Sequence, residues 1–336
     1  MKEKDYNLEI IRVISFLSVI IIHVANYYCR AFGQISQSEY GFSLLLNTLA
    51  RISVPCFFMI SGALLLGRNE PLKKHFKRWK RFVTALVIWS IIYYLWTIFY
   101  LKESYNLLEI FYRPVTEHLW YLYAIIPIYL VLPFLQVMCN HMTPKIEQAF
   151  LIIITIAVIC NYILSLNDAS AYYDLPLIGD RVYTYYFLIG YYLYKYKKQI
   201  PITQNKAIII YGLSMIATIV WTITMTYSSN VHYEQSLEYG NPLIILSSVA
   251  FFLLMIRSKL KDKINDKIKN LINVLGSCSF GIYLIHILFL DIYKNHLAPS
   301  DLSAWLIVPG LTIGIATISF ISIWLLRHLP FGKKIT

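Results

Sequence analysis

Apolar residues run along this chain in long blocks, and polar residues gather in the short intervals between them. A helix that crosses the hydrocarbon of a bilayer needs about 20 predominantly apolar residues. Ten runs approach that length, at roughly 8–28, 42–66, 82–101, 119–138, 149–166, 182–194, 206–226, 242–257, 271–291 and 302–326. The pattern predicts an all-α fold, a polytopic integral membrane protein of about ten transmembrane helices. The sixth run is shorter than a span requires. It must borrow from residues 176–181, be shielded by its neighbours, or lie where the bilayer thins.

Composition agrees with the pattern. The chain is 58% hydrophobic and 14% charged, whereas a soluble domain carries about 25% charged residues. Its net charge of +12 would point to nucleic acid in a soluble protein. Here the distribution of the cations argues for membrane lipid and no nucleic acid. With the N-terminus inside, the cytoplasmic intervals hold 23 of the 30 Lys and Arg residues. The outer loops hold Arg30, Lys102, Arg113, Arg181 and Lys294, and only Arg12 and Arg51 fall well within spans. Cationic loops stay in the cytoplasm, so both termini are expected there, as an even number of spans also requires. No small-residue cleavage site follows the first run, which reads as a retained helix. Five cysteines without a CxxC pair or a His-rich partner predict neither a disulfide framework nor a metal site. No internal repeat or linker divides the chain, so residues 1–336 read as a single membrane domain.

Ionisable side chains within a span are costly and call for a reason. On the first run, Asp5, Glu9, Arg12, His23 and Asn26 fall within an arc of about 100° at helical periodicity, one polar stripe on an apolar helix. Glu9 and Arg12, three residues apart, can pair; alternatively Arg12 reaches toward the inner surface. His23 lies eleven residues farther on, about 16 Å of helix rise toward the outer face, where no such escape exists. Arg51 on the second run, His118 next to Glu117 at the start of the fourth, and His286 late in the ninth fall at a similar outer depth. His118 reads equally as an interfacial residue, and His286 as a structural hydrogen bond between helices. Pro55 should bend the second run and Ser61-Gly62 loosen its inner end. Tyrosine pairs such as Tyr172-Tyr173 suit an interfacial belt. The basic segment KKHFKRWKRF, which contains Lys73, Lys77 and Arg78, suits contact with anionic lipid or with the phosphates of a cytosolic donor.

Arg12, ten residues, then His23, followed by VPCFFMISGALLLG, HLWYLYAIIPIYLVLPF and a late SFGIYLIH, resembles the membrane-bound acyltransferase-3 family over nearly the whole chain. The likeness is to its short branch, which O-acetylates enterobacterial common antigen and other surface glycans. A paired-arginine motif carried by some longer members has no counterpart here beyond Arg113. The resemblance implies functional importance for Arg12 and His23. It also implies acetyl-CoA as donor, a glycan or lipid-linked sugar as acceptor, and a bacterial inner (cytoplasmic) membrane as the setting. A homo-oligomer or the glycan-synthesis machinery are further expected partners.

Acyl transfer needs a base for the attacking hydroxyl and a cation for the oxyanion. His23, as base or acyl carrier, Arg51, Glu117 and His286 are the candidate catalytic residues. Glu117 or Asp291 is the candidate carboxylate partner of His23. Arg12 with Glu9, and Lys73, Lys77 and Arg78, are the candidate donor-binding residues. A transporter or flippase for a glycan or lipid-linked sugar, or a membrane sensor, would also use a polar stripe through the membrane.

Overall fold

The computed structural model describes residues 4–169, 182–330 and 332–336, and every regular element among them is helical. Helix α1, Tyr6–Cys29, starts at Asp5, whose carboxylate accepts the Asn7 N–H at 3.0 Å. A capping box of Ser36 and Glu39 opens α2, Gln37–Ala50, and α3, Ser53–Leu65, continues the same span. Then come α4, Leu72–Trp96, α5, Trp120–His141, and α6, Pro144–Ser165. They are followed by α7, Val182–Lys195, α8, Gln204–Ser229, α9, Pro242–Ile256, and the short α10, Leu260–Lys263. The chain closes with α11, Asp266–His296, α12, Ala304–Leu326, and α13, Gly332–Ile335.

Among the described residues, nine helical segments are long and apolar enough to cross a membrane. They match nine of the ten apolar runs. Apolar side chains on their outward faces are openly exposed, Phe134 at 72% and Ile313 at 67%, a surface that suits lipid and not water. The protein is a polytopic membrane protein. The sixth run falls in α7, of which 14 described residues span about 21 Å. Neighbours shield it: nine of its residues, Tyr185 to Leu188 among them, are buried. Arg181, Tyr172-Tyr173 and the other residues of 170–181, with Lys2, lie outside the described residues.

Successive spans alternate in direction, and both ends of the described chain lie at one face. There Lys4 Nζ donates to Asn273 Oδ1 at 2.7 Å, and Arg81 donates to the Thr336 carbonyl at 2.7 Å. At the opposite, far face the Tyr28 and Tyr293 hydroxyls meet at 2.9 Å, and the Ala304 N–H donates to Glu39 Oε1 at 3.1 Å.

Two local features set up the interior. Between α2 and α3 the helix is interrupted at Arg51 and Ile52. A proline has no N–H for the carbonyl four residues back and its ring crowds it, and four residues before Pro55 is Arg51. The proline therefore interrupts the hydrogen-bond ladder and leaves Arg51 at the joint, while Arg51 and Ile52 keep right-handed helical dihedrals and Gln37–Leu65 remains one span. Ser61 and Gly62, in contrast, lie within an unbroken helix. A Cβ on Gly62 would stand 1.7 Å from the Phe187 carbonyl oxygen, and one on Gly190 would stand 2.3 Å from the Met59 Cα. The two glycines are where α3 and α7 press backbone on backbone, the close approach that small residues permit between membrane helices. Gly62 thus serves packing, not the expected loosening.

Candidate active site

A cavity of about 1020 Å³ passes through the bundle. Arg12, Arg81 and Arg327 line it toward the terminal face, and Arg30, Glu117 and Glu234 line it toward the far face. His23, His118 and Arg51 line it as well. The polar stripe of α1 is thus the side of the helix that faces an internal space.

Three histidines from three elements converge beside this space. His23 of α1 is half-buried and opens onto the cavity, while His286 of α11 is 0% and His118 2% exposed. Ring centroids are 5.2 Å apart for His23 and His286, and 5.5 Å for His118 and His286. His286 Nδ1 lies 2.7 Å from the Tyr283 carbonyl. A carbonyl can only accept, so Nδ1 carries the proton and Nε2 of the neutral ring keeps a lone pair. That Nε2 is buried without a partner, as is His118 Nε2, whose ring is held through Nδ1 by Thr116 Oγ1 at 3.0 Å. Tyr283 joins the two rings: its hydroxyl donates to the His118 carbonyl while its own carbonyl holds His286. Buried polar atoms are rarely left unpaired, so two orphan imidazole nitrogens, one on the ring that packs against His23 and the other on the ring behind it, make this cluster the candidate site. Among the described residues no group of three His, Cys, Asp or Glu side chains is placed to hold a metal ion.

The other sequence candidates separate into those at the cavity and those away from it. Arg12 donates to both oxygens of Glu9, at 2.8 and 2.9 Å. The pair lies against Gly276 of α11, where a Cβ would stand 2.7 Å from Glu9 Oε2. Arg51 joins the lining with Nε buried and unpartnered. Glu117 lines the far mouth with its side chain 85% exposed, 4.0 Å from Arg30. The carboxylate partner expected at Glu117 or Asp291 is not found. Among the described residues no carboxylate hydrogen-bonds to any of the three rings, and backbone and hydroxyl oxygens hold His286 and His118 instead. Lys73 and Lys77 are exposed and lie outside the lining. Arg78 is paired at 2.5 Å with Glu70, whose carboxyl its hydrogen bond holds down at about 2.

Besides Arg12, the cations that reach the terminal end are Arg81 and Arg327, neither of which the sequence singled out. Arg81 is the last cation before the third apolar run, three residues after Arg78 on the same helix, a position that periodicity could have flagged. Arg327 follows the last run, and its approach to the Ser277 carbonyl depends on tertiary packing.

A model of the acyltransferase-3 family, described as an acyltransferase domain, matches residues 5–324. The chain belongs to that family. No curated protein and no solved structure matches it. As a membrane acyltransferase it requires a base, a cation for the oxyanion and a place for an acyl donor. The acyltransferase offers an imidazole lining the cavity, a guanidinium at the α2–α3 joint whose Nε has no partner, and arginines toward the terminal face.

Proposed function

We propose that the protein is an O-acetyltransferase of a bacterial inner membrane. It takes acetyl from acetyl-CoA at the terminal face, which is cytoplasmic, and places it on a hydroxyl of a surface glycan or lipid-linked sugar at the far face. The observation that carries this reading is the cavity that reaches both faces, cationic at the terminal end and histidine-lined farther in. Guanidinium groups recognise phosphate well, so Arg12, Arg81 and Arg327 suit the phosphates of CoA. The rise of about 16 Å from Arg12 to His23 is on the order of an extended pantetheine arm. A partition of 23 cations to the intervals of that face, against five opposite, favours a cytoplasmic assignment.

In the proposed reaction His23 accepts the proton of the acceptor hydroxyl as its oxygen attacks the thioester carbonyl. Arg51 faces the oxyanion that forms. The C–S bond then breaks, and His23 returns the proton to the departing thiolate, giving the ester and free CoA. His286, its ring fixed by Nδ1 donating to the Tyr283 carbonyl, packs against the His23 ring and holds its position.

The test is surface-glycan acetate in a deletion strain, together with [14C]acetyl transfer by the purified protein. Lost acetate with unchanged glycan export is the expected result. Lost export from a strain whose glycan never carried acetate would sink the reading in favour of transport.

A further inference from the structure

Beside the main cavity lies a second chamber of about 520 Å³. The two spaces share Arg51, Tyr183, Glu234 and Tyr239, so the chamber branches from the reaction path at the break in the second span. Asn161 and Ser165 of α6 line its other side. Its volume falls within the ~300–1,000 Å³ of small-molecule pockets.

We infer that this chamber binds a second sugar unit of the acceptor, so that the enzyme selects an oligosaccharide over a monosaccharide. The inference rests on the sugar-acceptor reading above and adds to it a subsite and a length requirement.

Aromatic surface supplies the first argument. Trp120, Tyr183 and Tyr239 form a cluster, with ring centroids 4.7 Å apart for Trp120 and Tyr183, 6.1 Å for Trp120 and Tyr239, and 6.2 Å for Tyr183 and Tyr239. All three are half-buried; Tyr183 and Tyr239 present ring surface to both spaces, and Trp120, which lines the main cavity alone, backs them. Tyrosine and tryptophan combine an apolar face with a polar edge, which matches a pyranose with its C–H face and ring of hydroxyls.

Charge supplies the second. Among the described residues of the chamber, Arg51 is the one cation, and two carboxylates, Glu234 and Glu238, stand with it. With Glu234 paired to Arg30, Arg51 and Glu238 leave the described lining close to neutral, which suits a polyol whose hydroxyls both donate and accept. Arg51 lines the chamber with no carboxylate paired to it among the described residues. Arg30 is already committed, its Nε 2.5 Å from one oxygen of Glu234 and its Nη2 3.1 Å from the other.

Topology supplies the third. Because Arg51 borders both spaces, a sugar in the chamber puts its neighbour in the main cavity, on the side of His23. A monosaccharide would fill one space and leave the other to water.

The test compares N-acetylglucosamine, glucose and galactose with their di- and trisaccharides, using purified full-length protein in detergent. [14C]acetyl transfer is read as kcat/KM, and binding as quenching of intrinsic fluorescence. Wild type is expected to favour di- or trisaccharides by at least about tenfold in both readouts, a difference of roughly 1.4 kcal/mol. Asn161→Trp, which fills the chamber, should abolish that preference, and the milder Asn161→Leu and Ser165→Ala should reduce it. A wild type without length preference, or variants that retain it, would overturn the inference. Variants that lose activity equally on short and long acceptors would overturn it too, as the mark of a structural role. Length-selective binding without acetyl transfer to any acceptor would instead overturn the functional reading and leave the subsite standing.

Discussion

His23 opens onto the cavity with two buried, under-bonded imidazoles behind it, so its substitution separates chemistry from packing. A base contributes about 10² to 10⁴ in rate. His23→Ala and His23→Gln are both expected to reduce acetyl transfer by at least about 10², measured per unit of detergent-stable protein. Wild-type activity in the Gln variant would remove His23 as base and as acyl carrier. His232, in the loop joining α8 to α9, makes a different prediction. It is 7% exposed, with Nδ1 3.0 Å from the Tyr40 hydroxyl. Burial, reinforced by Arg51 and Arg30 against the pull of Glu234, holds its pKa down at about 4. The unfolded chain takes up this proton near pH 6.5 and the folded one does not. Stability is therefore complete above pH 6.5 and falls as the pH drops from there toward 4, by up to about 1.4 kcal/mol per pH unit. His232→Gln should flatten that part of the thermal-stability profile; an unchanged slope between pH 7 and 5 would assign it to other groups. The stripe on α1 was legible because cost marks it: polar groups on one face of a membrane helix are expensive and stand out. His232 was not, because an imidazole in a polar interval looks solvated until tertiary contacts bury it.

At the scale of elements, the apolar runs located most helix ends to about five residues, since helix length in a bilayer is set by hydrocarbon thickness, although α4 begins at Leu72, ten residues before its run, because its basic first turns are helical too. What periodicity could not supply was how helices meet. Gly62 read as a weak point because glycine favours helices poorly, yet its missing Cβ is what lets α3 lie against Phe187 of α7. Pro55 was legible as a disturbance, although the break it causes lies at Arg51, where the obstructed carbonyl is. Gly62→Ala and Gly190→Ala should each destabilise the protein by about 1–3 kcal/mol or more through overpacking, read as a lowered melting temperature in detergent. Gly212→Ala has nothing within 4 Å of the new methyl and should be neutral or slightly stabilising. Equal behaviour of all three would refute the backbone contact between α3 and α7.

For the molecule as a whole, alternating spans put Ser229 and Asp262 on opposite faces, both exposed. A thiol introduced at Ser229 should react with an impermeant reagent added to intact cells, and one at Asp262 only after permeabilisation; the reverse pattern would invert the proposed sidedness. The cavity that joins the two faces has an electrical consequence. Moving one elementary charge across a membrane at 100 mV involves about 2.3 kcal/mol, so any step that carries charge along this path would be sensitive to voltage. On the proposed reading none does. The anionic phosphates stay with the arginines at the edge of the field, and only the neutral arm of the donor extends through it. At the depth of His23 the acyl group and the hydroxyl proton exchange places locally. Acetyl transfer in sealed vesicles should then proceed at the same rate with and without an imposed potassium diffusion potential. A rate that tracked the potential would mean that the proton leaves by the far mouth, and that the membrane's own field takes part in the reaction.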